Sequence, residues 1–265
     1  MDESVVVSPD WLATRLEDAG VAVVDVRDAW EYDGIGHVPG AVNVPFESYR
    51  DETADDPGTL PGRAAFGDLL GEVGIEPEDT IVAYDDSNGV FAARFRLTAL
   101  AYGHDDVRLL DGDFSAWSRE RETETGTPSV EATAYTAEPF SFAESPFVDR
   151  SGVEAAIEGD AVLVDTRDRE EYAEAHLPGA VRFDWRATVD DESRRLRPVA
   201  DLEELFADRG IIRDREIVLY CNTARRISHT YAVLEALGYE NVSIYEGSLT
   251  EWLATDGEIE TGSPT

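Results

Sequence analysis

Residues 22–45 read AVVDVRDAWEYDGIGHVPGAVNVP, and residues 162–184 read VLVDTRDREEYAEAHLPGAVRFD. Laid over each other, they match Asp25 with Asp165, Arg27 with Arg167, Glu31-Tyr32 with Glu171-Tyr172, and His37 with His176. The match continues downstream. IVAYD, ending at Asp85, pairs with IVLYC, ending at Cys221, and YGHDDVRLLDGDFSAW, ending at Trp117, pairs with LGYENVSIYEGSLTEW, ending at Trp252. The offset drifts only from 140 to 135 residues, so one unit occurs twice with its segments in the same order.

Each unit alternates two kinds of segment. VAVVDV (21–26) and AVLVDT (161–166) are short, valine-rich and bounded by charges, which predicts buried strands; IVAYD and EIVLY are runs of the same kind. PDWLATRLEDAG (9–20), PVADLEELFADRG (198–210) and ISHTYAVLEALG (227–238) carry helical patterns, and each stops at glycine, a common C-terminal signal. Strands alternating with helices predict an α/β fold: two tandem domains, each a mostly parallel sheet with helices on both faces. We place the domains at 1–122 and 145–265. The segment between them, 123–144, is polar and rich in Thr, Glu and Pro, as an exposed linker would be.

Composition narrows the function classes. The 265 residues hold 57 Asp and Glu against 22 Lys and Arg, all 22 of them Arg, for a formal net charge of -35. Such self-repulsion opposes a compact state in dilute buffer and is screened at molar salt, where the Debye length is about 3 Å. An acidic surface without lysine therefore suggests adaptation to high salt. The same charge argues against nucleic acid or an anionic membrane as partner. No apolar run is long enough to span a bilayer, and the N-terminus lacks the basic start and apolar core of a secretory signal, so a cytoplasmic protein is expected. One cysteine excludes an internal disulfide and multi-cysteine metal patterns, and the four histidines lack ligand spacing; no metal or other cofactor is expected. A tandem fold that buries its own domain interface could work as a monomer.

The single thiol sits in VLYCNTARRISHTY (218–231), at the end of an apolar strand and just before a helical pattern starting near Arg226 or Ile227. Open α/β sheets place ligands at such strand ends. A helix N-terminus and neighbouring cations favour a thiolate, which is the nucleophilic form. Its position before two charges also argues against deep burial as a small hydrophobe. Arg225 and Arg226 offer fixed forks of donors suited to oxyanions. Residues 182–226 hold ten arginines and ten acids, so that window is formally neutral while the rest of the chain carries the whole excess. An anionic substrate meets no net repulsion there. A cysteine phosphatase needs Cys, five residues, then Arg. Here the sixth residue after Cys221 is Ile227, and Arg226 comes one position early, a loop too tight for phosphate but suited to a single sulfur.

The tandem D-x-R…E-Y…H-x-P-G-A blocks, with a single Cys after the matching strand of the second copy, resemble two-domain rhodaneses, the thiosulfate and mercaptopyruvate sulfurtransferases. The resemblance covers nearly the whole chain. It implies that the second domain is catalytic and the first inactive, in agreement with Asp85 standing where Cys221 stands. It further implies a persulfide on Cys221, a small anionic sulfur donor such as thiosulfate, and a thiophilic acceptor such as cyanide or a thiol. The donor-binding set expected on this basis is Arg167, Asn222, Thr223, Ala224, Arg225 and Arg226. For Arg167 a buried pair with Asp165 is an equal alternative, because Arg27 occupies the same place in the other copy. The loop departs from the C-R-K-G-V-T and C-G-S-G-V-T patterns of better-known members: Ala224 replaces the glycine, and charge has moved to the fifth and sixth positions. That makes mercaptopyruvate the lesser candidate as donor. A non-catalytic binding or sulfur-carrier module is the reading from another class. His37 and His176, each before x-Pro-Gly, are expected to be turn residues.

Overall fold

The computed structural model describes residues 1–50, 59–222 and 224–262. Among them the first unit runs β1 (Val6–Val7), α1 (Pro9–Ala13), β2 (Val21–Asp25), α2 (Ala29–Ile35), β3 (Val42–Asn43), α3 (Arg63–Glu72), β4 (Thr80–Tyr84), α4 (Val90–Ala101), β5 (Val107–Leu110) and α5 (Phe114–Glu120). The second repeats it with β6 (Phe147–Val148), α6 (Arg150–Glu158), β7 (Val162–Asp165), α7 (Arg169–Glu174), β8 (Val181–Arg182), α8 (Val199–Ala207), β9 (Ile217–Tyr220), α9 (Arg225–Ala236), β10 (Val242–Tyr245) and α10 (Ser248–Ala254). The sheets have the orders β1-β5-β4-β2-β3 and β6-β10-β9-β7-β8, and every pairing is parallel. The predicted α/β architecture is the observed one.

Burial explains the valine runs. β4 and β9 lie at the centre of their sheets, and Ile81, Val82, Ala83, Ile217, Val218 and Leu219 are all buried. Strands covered on both faces need no polar alternation. The helices differ from expectation in two places. The first helical pattern yields a helix only over Pro9–Ala13, with Thr14 at its C-cap and its hydroxyl bonded back to the carbonyls of Asp10 and Trp11. In the second domain α9 begins at Arg225, slightly earlier than predicted. Two of the three glycine signals hold: Gly210 and Gly238 follow their helices at φ +70° and +82°, where only glycine is unstrained, while Gly20 lies well past the end of α1.

The two domains share a packed seam. Ala92, Ala93, Phe95 and Ala99 of α4 cluster with Ala232 and Ala236 of α9, and Leu97 and Ala101 of α4 join the second domain's core. Alanines let the helices approach closely, and Arg96 spans them to Glu235 at 2.8 Å. The stretch read as a linker lies along the first domain, starting with an antiparallel backbone bridge between Glu124 and His37. Thr133 donates its N–H to Gly71, Glu138 donates to Tyr102, and Ala137 is buried. No described helix is long and apolar enough to cross a membrane.

Candidate active site

Cys221 follows β9 directly and is 2 % exposed. The sequence argued against deep burial; the structure buries the thiol because two main-chain anchors pull it in. Its N–H donates to the Ser248 hydroxyl at 3.2 Å, and its carbonyl accepts the Leu249 N–H at 3.0 Å. Ser248 in turn donates to the Tyr245 carbonyl at 2.8 Å. The turn between β10 and α10 thus holds the cysteine backbone.

The loop closes on Ala224, which takes the left-handed conformation at φ 57° immediately before α9. Its counterpart in the first domain is Gly89, at φ 83° before α4. A Cβ in this region costs about 1–2 kcal/mol, so the loop tolerates the replacement of glycine under strain. Three residues separate Cys221 from Arg225, and four separate Asp85 from Val90, which locates the length difference between the copies in this loop. Thr223, expected in the donor-binding set, lies outside the described residues.

The expected arginines divide by partner. Arg226 reaches Glu171 at 2.5 Å, and Asn222 donates its amide to the same carboxylate at 2.7 Å. Burial opposes the ionised Glu171, yet Arg226, the Asp168 N–H and Asn222 hold it below the usual carboxylate range. Arg167 is buried and grips Asp165 through Nε at 2.9 Å and Nη2 at 2.6 Å, while Nη1 donates to the side-chain oxygen Oδ1 of Asn222 at 3.3 Å. The same fork joins Arg27 to Asp25 in the first domain. Arg167, Asn222 and Arg226 therefore form one polar chain that fixes the start of the loop.

Arg225 differs. It has no hydrogen-bond or ion-pair partner among the described residues, and its guanidinium carbon lies 5.8 Å from the Phe46 ring centre and 5.9 Å from that of Phe91. Both rings come from the first domain. The tip stays in contact with solvent, but the surrounding protein costs it solvation. That burial, followed by the nearby Arg50, pulls its pKa below the ordinary guanidinium value. Arg50 stacks on Phe46 at 4.6 Å and pairs with Glu47 at 3.0 Å. Arg50 is thus answered by Glu47, and Arg225 beside the cysteine loop is left without an ion-pair partner among the described residues.

The first domain shows what this loop geometry does with a negative group. The buried Asp85 carboxylate accepts the backbone N–H groups of Ser87, Gly89, Phe91 and Ala92 at 2.7, 2.8, 2.7 and 3.0 Å. Burial pushes the carboxyl up, and the four amides pull against that. A residue of the second domain covers this copy: Arg194 binds Asp113 through Nε at 2.9 Å and Nη2 at 2.5 Å.

The rhodanese-like domain family matches residues 8–120 and 150–255. The chain belongs to the rhodanese family. Among curated rhodanese relatives, the thiosulfate sulfurtransferase of Pseudomonas aeruginosa is 34 % identical over 95 % of this chain and 94 % of its own length. The sulfur carrier protein TtuD of Thermus thermophilus is 32 % identical over 94 % of this chain and 93 % of its own. The crystal structure of SseA from Escherichia coli, described as a 3-mercaptopyruvate sulfotransferase with a rhodanese fold, superposes with a TM-score of 0.82. It is 26 % identical and covers 92 % of this chain and 98 % of that one.

Sequence reasoning missed several residues of this rhodanese site. Arg50, Phe46 and Phe91 left no signal, because they reach the loop from the other domain. Ser248 and Glu171 did leave one: Ser248 aligns with Asp113 at the common offset, and Glu171 closes an Asp-x-x-Glu capping box with Asp168. His37 and His176, expected in turns, instead pair through their backbones with Glu124 and Glu260 in isolated antiparallel bridges, and their rings stack at 3.8 Å on Tyr32 and Tyr172.

Proposed function

We propose that the protein is a sulfurtransferase that moves a sulfane sulfur from thiosulfate, or a similar anionic donor, to a thiophilic acceptor. The Cys221 thiolate attacks the outer sulfur of thiosulfate, the S–S bond breaks, and sulfite leaves with the electron pair. Cys221 then carries a persulfide anion. Cyanide takes the outer sulfur as thiocyanate, or a thiol takes it as a persulfide, and the thiolate returns. Each half-reaction conserves charge and needs no redox partner, so ping-pong kinetics are expected.

One observation carries this reading: the chain's only thiol ends the central strand of the second sheet, beside an arginine that has no partner among the described residues. Arg225 is the proposed anchor for the sulfonate end of the donor. Arg167, Asn222, Ala224 and Arg226 are proposed to shape the loop rather than to hold the donor, and Thr223 stays in the proposed set as a loop residue. The division into a silent domain (1–122), a linker (123–144) and a catalytic domain (145–265), the cytoplasmic setting, the monomeric state and adaptation to high salt belong to the same proposal. Mercaptopyruvate is the second reading, favoured by the likeness to SseA and by the fact that a guanidinium holds a carboxylate as readily as a sulfonate.

Intact-mass analysis after separate exposure to thiosulfate and to mercaptopyruvate, at high salt, tests both readings. Wild type should gain one sulfur atom, and Cys221→Ser should keep the fold and gain none. A wild-type chain that gains sulfur from neither donor would turn the reading to a binding module. Turnover by Cys221→Ser would refute the covalent role.

A further inference from the structure

Arg94 belongs to the first domain, yet it serves the second. It is the fifth residue of α4, is 0 % exposed, and grips Glu246 with both terminal nitrogens, Nη1 at 2.9 Å and Nη2 at 2.7 Å. Glu246 directly follows β10 and opens the turn that leads through Gly247 to Ser248. Ser248 itself sits at φ 50°, a strained position for a residue with a Cβ, and its hydroxyl receives the Cys221 N–H. A buried bidentate fork is the kind of contact that can hold such a turn in place.

The internal repeat supplies a comparison within the molecule. The fifth residue of α9 is His229, and the residue directly after β5 is Asp111; they are the counterparts of Arg94 and Glu246. These two do not form an ion pair. His229 is buried and held down to about 4 by burial, hence neutral near pH 7, and with Asp111 it lines a small cavity of about 20 Å³ beneath the first domain's loop. That loop is fixed by the Asp85 carboxylate on four amides, and its own cross-domain fork, Arg194 on Asp113, lies two residues beyond Asp111. The catalytic copy has no such carboxylate at its strand end, because a thiol stands there. In the second domain the cross-domain fork falls on the residue that directly follows β10, two residues before the serine that receives the Cys221 N–H.

We propose that Arg94 is a positioning residue for sulfur transfer: its fork on Glu246 fixes the turn between β10 and α10, and that turn holds Cys221 through Ser248. The first domain thereby takes part in catalysis without touching the donor. Electrostatics point the same way. Burial opposes the Arg94 charge, but Glu246, then Tyr49 and Cys221, keep it above the ordinary guanidinium range. The cation is therefore permanent, and the cysteine is among the groups in its field.

The inference rests on the sulfurtransferase reading, so the test carries a readout that needs no sulfur: the rate of Cys221 alkylation by iodoacetamide at fixed pH. Three variants are compared with wild type at high salt. Arg94→Lys keeps the charge and loses the fork. Arg94→Met with Glu246→Gln removes both charges and strands neither. Ser248→Ala cuts the same chain at its other end. Each should unfold cooperatively, lose about ten-fold in kcat, and keep KM for thiosulfate within about two-fold, the signature of a misplaced nucleophile with its binding site intact. Alkylation should slow in parallel. A mere domain clamp predicts a lower melting temperature with wild-type kcat and alkylation rate in the folded protein, and that result overturns the proposal. Should the double variant fail to fold, Arg94→Lys and Ser248→Ala decide on the same criteria. If wild type gains no sulfur, the activity reading fails, and the alkylation rates alone decide on Arg94.

Discussion

At the scale of single residues, the two adjacent arginines have different surroundings. Arg226 faces Glu171, and its charge is answered. Arg225 lies against Phe46 and Phe91, with a second guanidinium nearby. Losing a charge-assisted hydrogen bond costs about 1.5–3 kcal/mol, roughly ten- to a hundred-fold in rate. Arg225→Gln should therefore lower kcat/KM for thiosulfate by that factor, and do so less in the half-reaction with an uncharged thiol. Arg226→Gln should instead loosen the loop and leave KM nearly unchanged. Steady-state kinetics on both variants check the distinction, and equal KM effects would contradict it. The cysteine and both arginines were legible in the sequence. The division of labour was not, because Glu171 is 55 residues from Arg226 and no periodic pattern links them.

At the scale of the element, α9 carries a titration into the domain seam. His229 is neutral in the folded protein, pulled down from 6.5 to about 4 by burial, and its ring meets Trp185 edge-on at 5.1 Å. Its folded pKa is depressed, so below about pH 6.5 the unfolded chain takes up a proton that the folded chain refuses. Stability from this residue should fall as pH drops from about 6.5 to about 4, by about 3 kcal/mol in total, and level off below. Urea unfolding of wild type and His229→Gln across that window should give curves that diverge towards neutral pH and converge towards pH 4. Parallel curves would show that the histidine titrates alike in both states. Elements themselves read well from sequence where valine runs and terminal glycines mark them, as at β2, β7, α8 and α9. The first helix read too long: it stops at Ala13, while the apolar periodicity runs on to Leu16.

At the scale of the molecule, the two domains are joined by ion pairs between arginines and acids far apart in the chain. Arg94 meets Glu246, Arg96 meets Glu235, Arg194 meets Asp113 and Arg195 meets Glu120. None of these could be read from a repeat, since the repeat describes each unit and not how they face each other. Two salt effects oppose each other. Salt screens the partly exposed pairs, which are individually worth little, and it also screens the repulsion of a net charge of -35. The second effect is much the larger, so the unfolding temperature should climb as salt rises from dilute buffer to molar concentration. Turnover should pass through a maximum as chloride begins to compete at Arg225. A melting temperature that drops with added salt would remove the salt-adapted reading.

The carboxylate of Asp85, seated on four amides of its own loop, makes the first domain a standard against which the second can be measured in one tube. In an amide-resolved spectrum, the signals of Ser87, Gly89, Phe91 and Ala92 should stay in place as thiosulfate is added, because their acceptor is covalently part of the chain. Those of Ala224, Arg225 and Arg226, in the copy where a thiol stands in place of Asp85, should move. Tandem duplication has left this chain with a reacting loop and its own unreactive reference in the same solvent, salt and temperature, so a titration carries its blank within the molecule.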